Sequence, residues 1–303
     1  MARAADILFF YRSIRAQFRF RVRAPCLGAL RRAGNAATVG ARRDMDVHAT
    51  SMQQRMPAQS VIEKLLHEHT RRPASSSLRL ALGISPIHRD DLSWHTGAVG
   101  ERIVAGMLAR LPQDWHVFHS LPVGTGESDI DHVVVGPGGI FTLNTKHHPG
   151  KKIWVRGHAF WVSGQHTDYL RNSEHEADRL TKIIHARFPQ APAVSPVIVV
   201  VNASDITVKT RPARVRIETP RGITAWLAKR PTILHPEAVR MIAAMLDDPQ
   251  TWRAVIPSDC DELQQRFDEL SRSHDRANAI RLAWLLVGLL AVVGVGLLLL
   301  HAL

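Results

Sequence analysis

The stretch from Glu127 to Lys146, ESDIDHVVVGPGGIFTLNTK, gathers the residue types that could do phosphate or metal chemistry. Two β-rich runs, DIDHVVV and GIFTLNTK, flank Gly136-Pro137-Gly138-Gly139. Glycine supplies positive φ and proline presets a turn angle, so the spacing predicts a β-hairpin. With those four residues as the loop, Val135 pairs with Ile140, Asp131 lies opposite Asn144, and Asp129 lies opposite Lys146. Side chains alternate faces with period two, so these four polar groups project from one side of the hairpin. Opposed residues have Cβ atoms about 4.5–5.5 Å apart, close enough to share a cation or a phosphate. The middle of the hairpin (Val133, Val135, Ile140) is apolar, which sets the polar groups apart at its open end.

A second carboxylate belongs with them. Ser93 to Leu111 has helical periodicity, and Gly97, Val104, Ala105 and Leu108 share a face on which Glu101 falls at the centre. A carboxylate on an apolar face is costly unless it is paired or bound to a cation. Gly97 and Gly100 would let this helix pack closely on a sheet.

These residues together resemble the nuclease-related (NERD) domain, a branch of the PD-(D/E)xK nuclease-like fold. The resemblance rests on Gly97-Ala98-Val99-Gly100-Glu101, Ser128-Asp129-Ile130-Asp131-His132, Gly136-Pro137 and Asn144-Thr145-Lys146. It covers roughly Trp94 to Trp252. It implies an α/β fold with a mixed central sheet flanked by helices, restriction-endonuclease-like. It also implies that Glu101 projects toward the polar face of the hairpin. Asp131 and Glu101 would hold Mg2+ or Mn2+, with Asn144 and the Thr145 carbonyl as further ligands, and Lys146 would orient the attacking water. One departure stands out: the acidic residue expected two before the lysine is Asn144, a neutral amide. Two readings therefore stay open, a metal-dependent nuclease and a non-catalytic module that binds nucleic acid or protein.

The remaining chain must position this site. Val117–Val123 reads as a strand, and Lys152–Val162 as a second hairpin turning at Arg156-Gly157-His158. Lys151, Lys152 and Arg156 could touch a phosphate backbone, while Trp154 and Trp161 read as packing residues rather than base-stacking ones. Ser173 and Glu176 have the spacing of a capping box opening a helix whose buried stripe is Ala177, Leu180, Ile183 and Ile184. In related nucleases the helix after the hairpin lends a polar residue to the site, a role open here to Arg171 or Asn172. Val197–Val201 is a continuous apolar run, as expected of a central strand buried on both faces. Arg214–Ile217 gives a further strand; Ala225–Ala228 and Pro236–Leu246 give helices.

Composition sets the outer limits. The net charge is +12, but residues 1–43 hold ten arginines against the single acid Asp6, so the excess says little about the folded surface. Residues 1–57 read as a basic, disordered N-terminal segment: a basic arm, a transit-like stretch or an upstream extension before Met45 or Met52. Residues 58–92 are a helix and a linker, and 93–256 the nuclease-like domain. Two cysteines, Cys26 and Cys260, argue against a disulfide framework or a zinc knuckle. The many histidines show no H-E-x-x-H pattern. Leu282–Leu300 is nineteen residues without a charge, about 28 Å as a helix, and matches a bilayer core. The expectation is a single transmembrane helix over 282–303, a polar juxtamembrane stalk over 257–281, and a domain facing the cytoplasm, because the basic residues precede the span.

Overall fold

The computed structural model describes residues 51–73, 76–123, 129–252 and 258–301. The basic segment 1–50 and the hairpin-leading pair Glu127-Ser128 lie outside the described residues. In chain order the elements are α1 (Gln59–Arg71), α2 (Ser77–Ala81), α3 (Leu92–Leu108), β1 (His116–Pro122), β2 (Asp129–Gly136) and β3 (Gly139–His147). Next come β4 (Lys152–Arg156), β5 (Ala159–Val162), β6 (Gln165–Thr167), α4 (Tyr169–His185), β7 (Ser195–Val201) and β8 (Asp205–Thr210). The last are β9 (Arg216–Glu218), α5 (Pro220–Ala228), α6 (Pro236–Asp247) and α7 (Cys260–His301).

The main sheet runs β1-β2-β3-β7-β9 and is mixed. β1, β2 and β3 form an antiparallel meander, while β7 and β9 continue it in parallel. The hairpin register is the expected one, with Val135 opposite Ile140. Its turn is tightened to Pro137-Gly138, because Gly136 and Gly139 already pair across the strands. Gly139 sits at φ +122, a backbone angle that a side chain would strain.

Both faces of this sheet are covered, so β7 can be apolar throughout. On one face Val133, Val135 and Ile140 pack against Ala177, Leu180 and Ile184 of α4 and Ile242 and Leu246 of α6. On the other, Val134, Phe141, Leu143 and Val199 meet Val104 and Leu108 of α3 and Ile223 and Leu227 of α5. Gly100 brings α3 close: a Cβ there would lie 2.6 Å from the His147 Cβ of β3. Gly97 has open space around it and is not needed for this approach. A smaller sheet, β6-β5-β4-β8, packs Ile153, Val155 and Phe160 against Ile198 and Val200.

Four features differ from the sequence expectation. Residues 51–57, read as the end of a disordered segment, are folded against the domain, with Met52, Arg55 and Met56 buried. α4 begins at Tyr169 with Asp168 as its N-cap residue, so Ser173 and Glu176 sit inside the helix and form no capping box. Residues 205–210 form a strand, β8, that lends the smaller sheet an edge. Segment 260–281 is not a free stalk: Phe267 and Leu270 of α7 are buried with Ile62, Leu65 and Leu66 of α1 and Ala98 of α3. Arg102 of α3 pairs with Asp268 at 2.6 Å, and His95 meets Ser271 at 3.0 Å. The apolar continuation of α7 is exposed along its length and long enough to cross a membrane.

Candidate active site

The site forms where β2 and β3 part. Their pairing ends at His132–Leu143, and beyond that point the Asp131 carboxylate fills the gap, accepting the Thr145 N–H at 2.6 Å. Residues of β3 then face two ways. Thr145 and His147 point at α3, where they stand against Gly100. Asn144 points at α4, and its Nδ2 donates to both carboxylate oxygens of Glu176, at 2.8 and 2.9 Å.

Glu101 reaches the same place from the α3 side. It is 6% exposed and receives the backbone N–H of Ala58, the residue that caps the N-terminus of α1. That helix end carries partial positive charge, which suits a carboxylate. Even so, burial pushes the Glu101 carboxyl well above its ordinary range, and the neighbouring Asp131 charge pushes it further. Burial also raises Asp131, against the opposing pull of Lys146 and of the Thr145 N–H. Glu176 is raised to about 7 by burial and then by Asp131. Asp131 thus lies electrostatically between two carboxylates that approach from opposite faces of the sheet.

Lys146 is half-buried, its Nζ 4.7 Å from the centre of the Tyr169 ring, and its charge acts on Glu101, Asp131 and Glu176 alike. Tyr169 also stacks on His148 and meets Phe160 of β5, so it joins the lysine to the smaller sheet. Several buried polar atoms here lack a partner: Asn144 Oδ1, Thr145 Oγ1, His148 Nε2 and Ser173 Oγ. Buried polar atoms are nearly always satisfied, so a local group of orphans marks a place where water, an ion or a substrate belongs.

The expected residues are distributed as follows. Glu101, Asp131, Asn144, Thr145 and Lys146 converge. Asp129 does not join Lys146 as the hairpin geometry had suggested; it bonds Arg55 at 3.4 Å and the Ser60 hydroxyl, closing off the start of α1. Lys151, Lys152 and Arg156 are exposed at the start and on the outer face of β4, where Lys152 and Arg156 flank Trp154. Trp154 and Trp161 pack on each other across the strands, with ring centres 4.5 Å apart. Arg171 and Asn172 are exposed on the first turn of α4, and Arg171 pairs with Asp168. The polar residue that α4 sends to the site is instead Glu176. One signal could have found it: Glu176 lies three residues after the buried Ser173 and four before the buried Leu180, so it too is a carboxylate on a buried stripe.

The histidines are accounted for differently. His132 is fully buried and meets His119 at 2.8 Å between Nδ1 atoms, and burial lowers both rings. His147 Nδ1 donates to the Thr96 carbonyl at 2.7 Å, latching β3 to α3.

A family model described as the nuclease-related domain matches residues 96–201, from the second turn of α3 to the end of β7. Residues 96–201 are a nuclease-related domain. That span holds Glu101, the β2–β3 hairpin, Lys146 and Glu176, which are all the residues converging on the site. An uncharacterized protein of Bacillus anthracis is 36% identical over 75 residues, covering 22% of this chain and 34% of its own length. The chain therefore spans about a third of that curated relative. No solved structure matches the chain.

Metal ions are typical of nuclease-related domains. Among the described residues no three His, Cys, Asp or Glu side chains are grouped to hold one. The donor chemistry nonetheless fits a hard cation: Glu101 and Asp131 repel each other, and the buried Asn144 Oδ1 is an acceptor with nothing to accept. Hard dications take oxygen ligands, carboxylate first and neutral carbonyl after.

Proposed function

We propose that this chain is a membrane-anchored phosphodiesterase that hydrolyses nucleic acid with a divalent cation. The observation that carries the reading is the meeting of Glu101, Asp131 and Lys146 at the parted strand ends, with Asn144 Oδ1 buried and unsatisfied beside them. Asp131 and Glu101 would hold Mg2+ or Mn2+, with Asn144 Oδ1 and the Thr145 carbonyl as neutral donors. The chemistry such an ion supplies is polarisation of the phosphoryl oxygen and acidification of water.

The chain's own residues do the rest. Lys146 donates to the phosphate as charge builds on its oxygens, an interaction strongest in the transition state. The Tyr169 ring lies under the Lys146 ammonium and limits water on that side. Glu176 positions Asn144: both of its carboxylate oxygens accept from Nδ2, which fixes the amide plane and leaves Oδ1 free for the site. Lys151, Lys152 and Arg156 offer phosphate contacts on the smaller sheet, and Arg171 and Asn172 do so on the first turn of α4. The apolar part of α7 crosses the bilayer, and the basic residues preceding it hold the domain on the cytoplasmic side.

A second reading, a binding module without turnover, is favoured by Asn144 alone, since an amide brings no charge to the cation. Turnover decides between them. Purified chain is incubated with single- and double-stranded DNA and RNA, with Mg2+, Mn2+ or EDTA. The nuclease reading expects metal-dependent cleavage that Lys146→Ala lowers by about a hundredfold or more. Binding without cleavage in every condition would establish the second reading.

A further inference from the structure

Residues 76–84, around α2, carry apolar side chains that the domain leaves uncovered: Leu78 is 69% exposed, Leu82 53% and Ile84 40%. They are fastened to α7 where its charged half gives way to the apolar one. The Trp284 indole donates to the Ala81 carbonyl at 3.1 Å. Gly83, at φ +74, approaches so closely that a Cβ would stand 2.5 Å from the Arg281 backbone nitrogen. A cleft of about 160 Å³, lined by Leu80, Ala81, Ser273, Arg276 and Ile280, opens between the two segments.

We propose that residues 76–84 are a second membrane contact, a short shelf lying in the lipid interface beside the emerging span. This rests on the reading of α7 as a membrane anchor. The occupant follows from continuity: Leu78 and Leu82 are as bare as Leu285 and Leu286, which directly follow Trp284, and the hydrogen bond to Ala81 puts them at the same level. A tryptophan with its ring in the chain's apolar zone and its N–H on a carbonyl suits the bilayer boundary. Charge agrees. Arg79, Arg276 and Arg281 are exposed around the shelf, at the level of lipid phosphates, and each basic residue near an anionic surface contributes about 1 kcal/mol.

Two contacts do what one span cannot. A single helix lets the domain tilt against the membrane, whereas a shelf fastened to one side of the span fixes that tilt. The Arg102–Asp268 bond is thirteen residues before Arg281, about 20 Å along the helix axis. The shelf therefore holds α3, with Glu101, at a set height of that order above the lipid phosphates.

The test uses the full chain in liposomes of neutral and anionic phospholipid, with Cys26 and Cys260 replaced by serine. An environment-sensitive fluorophore is placed at Leu82→Cys, with Leu78→Cys as a repeat. Leu290→Cys reports on the span, and His158→Cys, an exposed turn position, serves as the dry-side control. Lipids bearing a spin-label quencher should suppress emission at Leu78, Leu82 and Leu290 but not at His158. Quenching at Leu290 alone overturns the shelf while leaving the anchor in place. Blue-shifted but unquenched labels at Leu78 and Leu82 also overturn it, because a second copy of the chain would then be what covers them. No quenching at Leu290 would overturn the anchor itself, and the shelf with it.

Discussion

Changing Asn144 to aspartate supplies the charge that the family resemblance leads one to expect at this position, yet it should destabilise the metal-free protein. The amide now donates twice to Glu176, at 2.8 and 2.9 Å. A hydrogen bond to a charged group contributes about 1.5–3 kcal/mol, and that contribution is lost. In its place two carboxylates face each other beside Asp131; at about 4 Å and an effective dielectric near 20, unit charges repel by roughly 4 kcal/mol. Glu176 limits the damage by holding its proton, since it already titrates at about 7. The net expectation at pH 8 in EDTA is a loss of about 2–4 kcal/mol. For a domain of roughly 200 residues this lowers Tm by about 5–15 °C. Saturating Mg2+ or Mn2+ should reverse the loss, because a cation a hundredfold above its Kd returns about 2.7 kcal/mol. The double variant Asn144→Asp with Glu176→Gln exchanges acid and amide, and should recover most of the metal-free stability. Thermal unfolding in EDTA and in each cation measures all of this. A single variant as stable as wild type in EDTA and indifferent to cations would refute the reasoning, since Asn144 would then face neither Glu176 nor a metal.

Other outcomes are expected from the same contacts. In EDTA, Glu176 keeps its proton to about 7 when folded against an ordinary 4.5 when unfolded, so between those values the folded state holds the extra proton. Stability should therefore fall by roughly 3 kcal/mol as pH rises from 4.5 to 8, with Glu101 and Asp131 acting in the same direction; Glu176→Gln should flatten the slope in urea titrations. Phe267→Ala should cost about 3–5 kcal/mol, because the ring is fully buried between α1 and α3; a loss below about 1 kcal/mol would return residues 260–281 to the role of a stalk. Removing residues 282–303 takes away no residue of that cluster, so the truncated chain should stay folded and leave the membrane in a carbonate wash. A folded truncation that remained in the pellet would place the anchor elsewhere.

The hairpin was legible because its information is local. A Gly-Pro-Gly-Gly turn sets the register by its length and turn geometry, since the runs on either side are apolar on both faces. Glu101 was legible for a related reason, as a carboxylate at the centre of an apolar helical face. Glu176 carries the same signal, but Ser173 three residues earlier offers a local explanation, a helix cap, and its true partner Asn144 is 32 residues away. Asp129 is the converse case. Strand alternation aims it at Lys146, while Arg55, 74 residues earlier, holds it at the start of α1. In α7, Phe267, Leu270 and Ala277 have a helical stripe's spacing, yet the acids and arginines between them read as a solvated stalk. The edge strand β6 is three polar residues, QHT, with nothing to distinguish it from a loop, whereas DITVKT in β8 alternates Ile206 and Val208 with polar residues, a short strand signal legible in the sequence.

Asp129 and Asp131 are two residues apart on one strand, and the fold treats them in opposite ways. Asp129 receives a buried guanidinium from Arg55 and a hydroxyl from Ser60. Asp131 receives a backbone N–H and the charge of Lys146, and it stands between Glu101 and Glu176. The chain neutralises acids elsewhere too, with Arg102 on Asp268 and Arg216 on Glu218. Had the parted strand ends served packing alone, apolar side chains or one more arginine would have been more stable there. Instead the fold keeps three carboxylates with elevated pKa around one lysine, and an amide oxygen with no donor. Such frustration lowers stability and persists where a ligand relieves it. A dication held by Glu101 and Asp131, as proposed, would relieve it, lowering the pKa of those two carboxyls and giving Asn144 Oδ1 a partner. On the proposed reading, the acid missing at position 144 of β3 has a counterpart in Glu176 of α4, which reaches the site through the Asn144 amide.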